Sequence, residues 1–397
     1  MLNVALGGVT SLLAIPVIIS IVGAPTWGSL AVAQAIGAIY AVGVGFGWGI
    51  IGPAQVAGLS ASARGQFFKD SLVSRSLLFA CARPAYVVRV LLVLGTRADI
   101  GAFLVGGIST VVVAVGSGWF FVGEAQPARL LVNESLPRAL GTIAGAALLF
   151  VSHSLLVFVA VQLLGILISI WMTTRSINAR HRDGVLNRSV RDGFRRLKDS
   201  YASMVTAGTA ALYVNVPLIV VSAAVPLATP IYAAAEKIQR FALLAMTPFT
   251  QVVQGYIPNA DDTAGMRGRI NRSVAIAFGC GAALAVALGA LLPWVAHLMT
   301  AGKVAVPFTL SVPMGLTTGL IVISGVTGLA ALVALGKQRT VAMSTVAGAC
   351  VGLPLTVILG LLVGVEGIAW AVTISEVLVL AIQLVALARA LPATGRR

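Results

Sequence analysis

Ionisable side chains are scarce in this sequence. Only 10% of its 397 residues are Asp, Glu, Lys or Arg, and just 12 are acidic. A soluble domain carries about 25% charged residues, so the chain cannot clothe a globular surface in water. His153, His181 and His297 are scattered, and Cys81, Cys280 and Cys350 each lie in apolar stretches without CxxC spacing. Neither a metal site nor a disulfide framework is expected from such a pattern, and no cofactor is expected. A phosphate-binding loop is missing as well, because Gly302-Lys303 and Gly336-Lys337 lack its glycine spacing and its following Ser or Thr. The loops expected outside the membrane are short and nearly uncharged, which leaves no platform for acid/base or metal-assisted chemistry. No catalytic residue is assigned, and the chain is not expected to be an enzyme. No Lys or Arg precedes Arg64, so the first apolar block lacks the basic start of a cleavable signal peptide.

What is present is hydrophobic: 58% of the residues are apolar and the mean hydropathy is +1.00. A membrane-spanning helix needs about 20 mostly apolar residues. Blocks of that size recur along the whole chain, near 2–22, 27–57, 72–94, 101–121, 138–152, 156–174, 201–225, 230–255, 270–299, 306–335, 339–363 and 366–390. The sequence therefore predicts an all-α integral membrane protein of about twelve spans. Alternate gaps collect Arg64, Lys69, Arg75, Arg129, Arg138, the run from Arg175 to Lys198, Arg267, Arg269, Arg272, Lys337, Arg339, Arg389, Arg396 and Arg397, whereas the others receive only Arg97 and Lys303. That bias makes the first side cytoplasmic, with both termini inside. It also accounts for the net charge of +15 without a nucleic-acid partner. Trp27, Trp48, Trp119 and Trp294 fall near span ends, where interfacial anchors are expected.

The longest polar stretch, TTRSINARHRDGVLNRSVRDGFRRLKDSY, divides six spans from six. The expected organisation is an N-terminal lobe at 1–174, a basic cytoplasmic linker at 175–200 and a C-terminal lobe at 201–397. In the linker Leu186, Val190, Phe194 and Leu197 recur at helical spacing, as in a helix lying on an anionic membrane surface; a solvated basic linker is the alternative. The segments AVAQAI from Ala31 and AAAEKI from Ala233 both open the second span of their half, which suggests distant internal copies.

Charge inside the spans is the most informative feature. Arg83, Arg89, Lys237 and Arg240 are set against only Glu236 and Glu376. At 100° per residue, Glu236, Arg240, Thr247, Gln251 and Gln254 fall within about 60° of one another around the eighth span. Each charge at the bilayer centre costs about 2.5 kcal/mol or more, so this stripe is expected to face protein or water. Glu236 and Arg240, four residues apart, are placed to pair with each other, which leaves Lys237 over. A cleft collecting these cations, with Arg83 beside Pro84, would suit an anionic substrate, above all a phosphate matched to the guanidinium fork. Gln34, Gln55, Tyr213, Asn215 and Gln251 are candidates for the remaining lining, although interhelical hydrogen bonds explain each equally well. Glu236 and Glu376 are the candidates for ion coupling, since burial and a neighbouring cation act on a carboxyl in opposite directions.

Six stretches, in this order, carry a family resemblance: FGWGIIGPAQVAG, GWFFVGEAQPARLLVNESLPR, ALYVNVPLIVVSAAV, IYAAAEKIQRFALLAMTPFTQVVQGYIP, LVALGKQRT and GIAWAVTISEVLVL. Together they resemble the polysaccharide flippases (Wzx-type) of the multidrug/oligosaccharidyl-lipid/polysaccharide exporter superfamily. The resemblance implies two six-helix lobes around a central cavity that opens alternately to each face. It implies transport of an undecaprenyl-diphosphate-linked oligosaccharide from the inner to the outer leaflet of the bacterial plasma membrane. Expected partners are that lipid-linked oligosaccharide diphosphate, membrane lipids, and a polymerase and glycosyltransferases of the same pathway. Where the family pattern usually carries a basic residue, this chain has Gln55. A small-molecule, multidrug-type antiporter would share the fold, but would display acidic residues where Arg83, Lys237 and Arg240 stand.

Overall fold

The structure is a computed structural model that describes residues 2–95, 98–181, 186–258 and 263–391; it is helical, with no strand among the described residues. Two compact units divide the chain. The first holds Met1–Asn215 with Met299–Lys303, and the second holds Val216–Leu298 with Val304–Arg397.

In the first unit the helices are α1 (Leu2–Val22), α2 (Ala24–Gly45), α3 (Trp48–Gly58), α4 (Ala61–Leu94), α5 (Ile100–Val113), α6 (Gly118–Gly123), α7 (Pro127–Leu130), α8 (Leu136–Ser152) and α9 (Leu155–Arg180). A further helix, α10 (Leu186–Ala224), passes from the first unit into the second. The second unit continues with α11 (Thr229–Tyr256), α12 (Thr263–Met299), α13 (Phe308–Ser324), α14 (Gln338–Leu362) and α15 (Val365–Ala390). Among the described residues, ten stretches are long and apolar enough to cross a membrane, and Leu6–Val22 is a shorter apolar helix. With α11, set apart by its three charges, they make the twelve helices expected of two six-helix lobes.

Several spans are built differently from the uniform rods that hydropathy suggests. The second is two helices, α2 and α3, broken where Phe46 and Gly47 both take positive φ (41° and 78°). Only glycine adopts that conformation without steric cost, which explains the glycine in FGWG. The fourth is likewise split into α5 and α6. Before α8 a π-helical turn, Leu131–Ser135, joins α7. A second π-helical run, Gly325–Leu332, extends α13.

With lipid outside, helices gain little by hiding apolar surface, so close backbone approach does much of the packing. A Cβ on Gly141 of α8 would come 2.8 Å from the Cα of Gly165 on α9. In the second unit, a Cβ on Gly315 of α13 would come 2.7 Å from the backbone nitrogen of Gly289 on α12. Bulkier residues fill one end of each unit. Trp48, Val56, Phe67, Phe68, Phe120 and Ile177 form the core of the first, and Val253, Ile257, Ile270, Val326, Leu332 and Leu387 that of the second. The aromatic members meet edge to face, Trp48 on Phe67 at 5.1 Å and Phe68 on Phe120 at 5.7 Å. Each such pair is worth about 0.5–1.5 kcal/mol beyond the area it buries.

Three sequence expectations need correction here. Trp27 and Trp48 are buried, and Trp48 and Trp119 belong to an aromatic cluster with Phe67, so they serve packing; Trp294 is the exposed one. Arg75, assigned to the cytoplasmic surface by counting, is 1% exposed. The polar stretch is helical from Leu186 and runs unbroken into the seventh span as α10. Leu197 on that helix packs into the aromatic core, and a Cβ on Gly193 would come 2.7 Å from the Asp70 carbonyl. The helix face bearing these residues therefore lies on protein and not on a lipid surface.

Candidate functional site

Helix α11 begins with Thr229-Pro230, as α2 begins with Ala24-Pro25, a proline in the first turn of each. From there the matched segments run in parallel: Ala31, Val32, Ala33 and Ile36 are buried on α2, and Ala233, Ala234, Ala235 and Ile238 on α11. Small residues let each helix pack deeply, and a polar residue follows: Gln34 in one, Glu236 in the other.

Glu236 is 7% exposed. Arg240, one turn on, donates to its Oε1 from Nε at 3.1 Å and from Nη2 at 2.5 Å. Both donors of the fork converge on one carboxylate oxygen, so the pair is neutral as a unit and the insertion cost of each charge falls. Tyr232, one turn before Glu236, is buried. Gln239 donates from Nε2 to the Met314 carbonyl at 3.1 Å, fixing α11 against α13. Lys237, half-buried, takes part in none of the hydrogen bonds or ion pairs of the described residues. Its ammonium is thus the surplus charge of the group.

The other expected lining residues are distributed as follows. In the second unit, Thr247 bonds back to the Leu243 carbonyl, Gln251 and Gln254 are exposed toward the end of α11, and Glu376 is buried on α15. In the first unit, Arg83 and Arg89 are exposed on α4, Gln55 is exposed on α3 and Gln34 is half-buried on α2. Tyr213 is half-buried on α10, and Asn215 is buried there with Nδ2 donating to the Ala211 carbonyl at 2.7 Å. The structure thus brings Glu236, Lys237 and Arg240 together on one helix, while Arg83, Gln34 and Gln55 belong to the other unit.

Two polar clusters of the first unit escaped sequence reasoning. In one, Arg75 donates to the carbonyls of Ala114 (3.1 Å) and Gly116 (2.5 Å) and to the Ser117 hydroxyl (2.8 Å), with its guanidinium 5.5 Å from the Trp119 ring centre. It satisfies the carbonyls left over where α5 stops and α6 begins. Nearby, Glu134 pairs with Arg138 at 2.9 Å, and Arg138 Nε donates to the Ser169 hydroxyl at 3.1 Å.

The other cluster surrounds Glu124, in the turn between α6 and α7, with a side chain 3% exposed. Arg180 Nη1 lies 2.5 Å from its Oε2, His181 Nε2 lies 2.7 Å from its Oε1, and Arg64 Nη1 is 3.7 Å away. Burial pushes the Glu124 carboxyl up, but hydrogen bonds from Arg180 and His181 outweigh it and hold the group below the usual carboxylate range. The signal was in the sequence: Glu124 is a lone acid within GEAQPAR, on the side where arginines accumulate. No group of three or more metal-ligating side chains occurs among the described residues.

No family model matches the chain, and no curated protein matches it by sequence. Solved structures match its fold over nearly the full length. The lipid II flippase MurJ in an inward closed conformation superposes with a TM-score of 0.72 at 12% identity, covering 98% of this chain and 87% of that one. An inward-facing multidrug resistance MATE family transporter of the MOP superfamily gives 0.64 at 13% identity, covering 97% and 93%. A MATE transporter from Vibrio cholerae gives 0.60 at 14%, covering 98% and 94%. At such identities the likeness is one of fold: this chain has the two-lobed helical architecture that these transporters and the lipid flippase share.

Proposed function

We propose that the chain is an alternating-access flippase that carries an undecaprenyl-diphosphate-linked oligosaccharide from the inner to the outer leaflet of the bacterial plasma membrane. The observation that carries this reading is the ionic group of α11. Glu236 is already neutralised by Arg240, and Lys237 beside them adds a positive charge with no carboxylate of its own. A diphosphate supplies the countercharge that Lys237 lacks. Arg83 on α4 is the first unit's candidate for phosphate contact, with Gln34, Gln55, Tyr213, Asn215 and Gln251 as candidate contacts to the sugars. The fold likeness to a lipid II flippase supports a lipid-linked cargo. Glycosyltransferases that build the repeat unit and a polymerase that consumes it are the partners this cargo demands.

A second reading, an ion-coupled exporter of small cations, draws support from the fold likeness to multidrug MATE transporters. It is disfavoured because a cation approaching α11 meets Lys237 and a carboxylate already engaged.

The deciding experiment reconstitutes the full chain in vesicles and follows translocation of a fluorescent lipid-linked oligosaccharide diphosphate. Lys237→Ala should slow it about tenfold or more, with insertion unchanged, and Lys237→Arg should restore part of the rate. Unaltered rates in Lys237→Ala, Arg240→Ala and the double variant would reject the reading. Ethidium efflux insensitive to Lys237 would favour the second. For coupling, Glu236 and Glu376 remain the candidates; if Glu236→Gln transports with the same pH dependence as the parent, Glu236 carries no proton.

A further inference from the structure

At the end of the second unit where α13 finishes, α14 begins and α15 finishes, the helices leave a cavity of about 570 Å³. Its walls combine two kinds of residue. Lys337, Thr340 and Arg389 line its polar part, called the mouth below, and Ile382, Val385 and Ala386 line it along α15. On α15 these residues recur every three or four positions, so they form a single face. From Ile382 to Arg389 that face runs about 10 Å along the helix axis, the depth of several methylenes below a headgroup. Val385 is 50% exposed although apolar, as a surface laid against lipid is.

Among the described residues of the second unit, no carboxylate lines the cavity with these cations. The carboxylates among the described residues of the second unit are Glu236, Glu366 and Glu376. Glu366 opens the far end of α15, where Thr309 donates to it at 3.1 Å. Glu376 precedes Arg389 by roughly 20 Å of helix. Two backbone features add to the positive field. Lys337 is the N-cap of α14, so the positive end of that helix's dipole lies beside it. The Thr340 hydroxyl, one turn in, is a further donor. A basic residue at the end of an interfacial helix is unremarkable alone. Two of them at one cavity, over an apolar groove and beside a helix N-terminus, make a binding site.

We propose that this cavity holds an anionic phospholipid of the cytoplasmic leaflet, its phosphate between Lys337, Arg389 and the first turn of α14 and one acyl chain along Ile382, Val385 and Ala386. A free phosphate would use the same charges but gain nothing from the groove, and a zwitterionic lipid would bring its own cation to the mouth. The site is independent of the cargo, and it stands whether or not α11 binds a diphosphate.

The test uses the purified full chain in detergent with equimolar dioleoyl phosphatidylglycerol and dioleoyl phosphatidylcholine, counting retained lipids by native mass spectrometry. The wild type should keep one phosphatidylglycerol at least fivefold in preference to phosphatidylcholine. Lys337→Gln/Arg389→Gln should abolish the preference. Val385→Trp, which fills the groove at an exposed position and leaves the charges intact, should lose the lipid itself. Sodium pyrophosphate at tenfold excess should not displace it. Wild-type retention in either variant, or displacement by pyrophosphate, would overturn the assignment; the second result would identify the mouth as a soluble-phosphate site. Monodispersity and helical content, checked for both variants, separate loss of binding from loss of fold.

Discussion

Arg75 Nη2 lies 2.8 Å from the Ser117 hydroxyl, and the same guanidinium holds the Ala114 and Gly116 carbonyls that follow α5. A charged group buried to this degree is stable only because its donors are spent on fixed acceptors. The position looks like surface charge in the sequence and acts as a helix-ending bracket in the fold.

Arg75→Leu should therefore destabilise the first unit by about 3 kcal/mol, the loss of hydrogen bonds to a charged donor together with orphaned carbonyls. Arg75→Lys should recover only part, because an ammonium cannot span acceptors as a planar fork does. Thermal unfolding in detergent measures both, and a Leu variant as stable as the parent would contradict the bracket.

Glu124 makes the first unit acid-sensitive in a defined direction. Its carboxyl is held below the usual range in the folded chain, so the folded state binds fewer protons there than the unfolded state near pH 4. The stabilisation is complete above the ordinary carboxylate pKa and is lost as pH falls through the lowered value. The melting temperature of the parent should decline on acidification through this window, and that of Glu124→Gln should start lower and decline less. Parallel curves would mean that the cluster contributes nothing.

The Glu236–Arg240 pair should show strong coupling. Glu236→Gln and Arg240→Gln should each cost more alone than expected from the double variant, because either single change strands the remaining partner in a low-dielectric site. A double-mutant cycle on thermal stability should return about 1–3 kcal/mol; additive effects would show that the pair is idle.

Two glycines of the FGWGIIGPAQVAG segment should respond oppositely. A Cβ at Gly52 would come 2.5 Å from Trp119 Cε3, and an indole ring clamped among Trp48, Phe67 and Phe120 has nowhere to yield. Gly52→Ala should cost about 1–3 kcal/mol. Gly58 has nothing within 4 Å and an ordinary helical backbone, so Gly58→Ala should be neutral or slightly stabilising, by up to about 1 kcal/mol. Equal responses would contradict the packing of α3 against α6.

Much of the architecture was legible in the sequence, because hydropathy responds to the one constraint a bilayer imposes on every span. The twelve helices and the pairing of Glu236 with Arg240 follow from length, apolarity and a four-residue spacing. The breaks did not. Phe46–Gly47 and the π-helical run at Gly325–Leu332 sit in stretches as apolar as their surroundings, and only a backbone torsion or a widened turn distinguishes them. Arg75 was misplaced for a related reason: counting cations by side treats each as solvated, and this one is held by carbonyls some forty residues away. Glu124 was overlooked because it stood on a face crowded with arginines, where an acid reads as incidental. Leu197 illustrates the converse, since amphipathic spacing announces an apolar face without saying what covers it.

The π-helical run at Gly325–Leu332 carries a consequence for the cation three residues past the α13 extension's last ordinary turn. A widened turn stores an additional residue without lengthening the rod by a full step, so everything downstream is clocked forward by one position, about 100° of azimuth. Lys337 follows that run, in the turn that leads into α14. Excising a single residue from the run would rewind the helix to plain α geometry and swing the ammonium aside, with the chain's composition and charge otherwise intact.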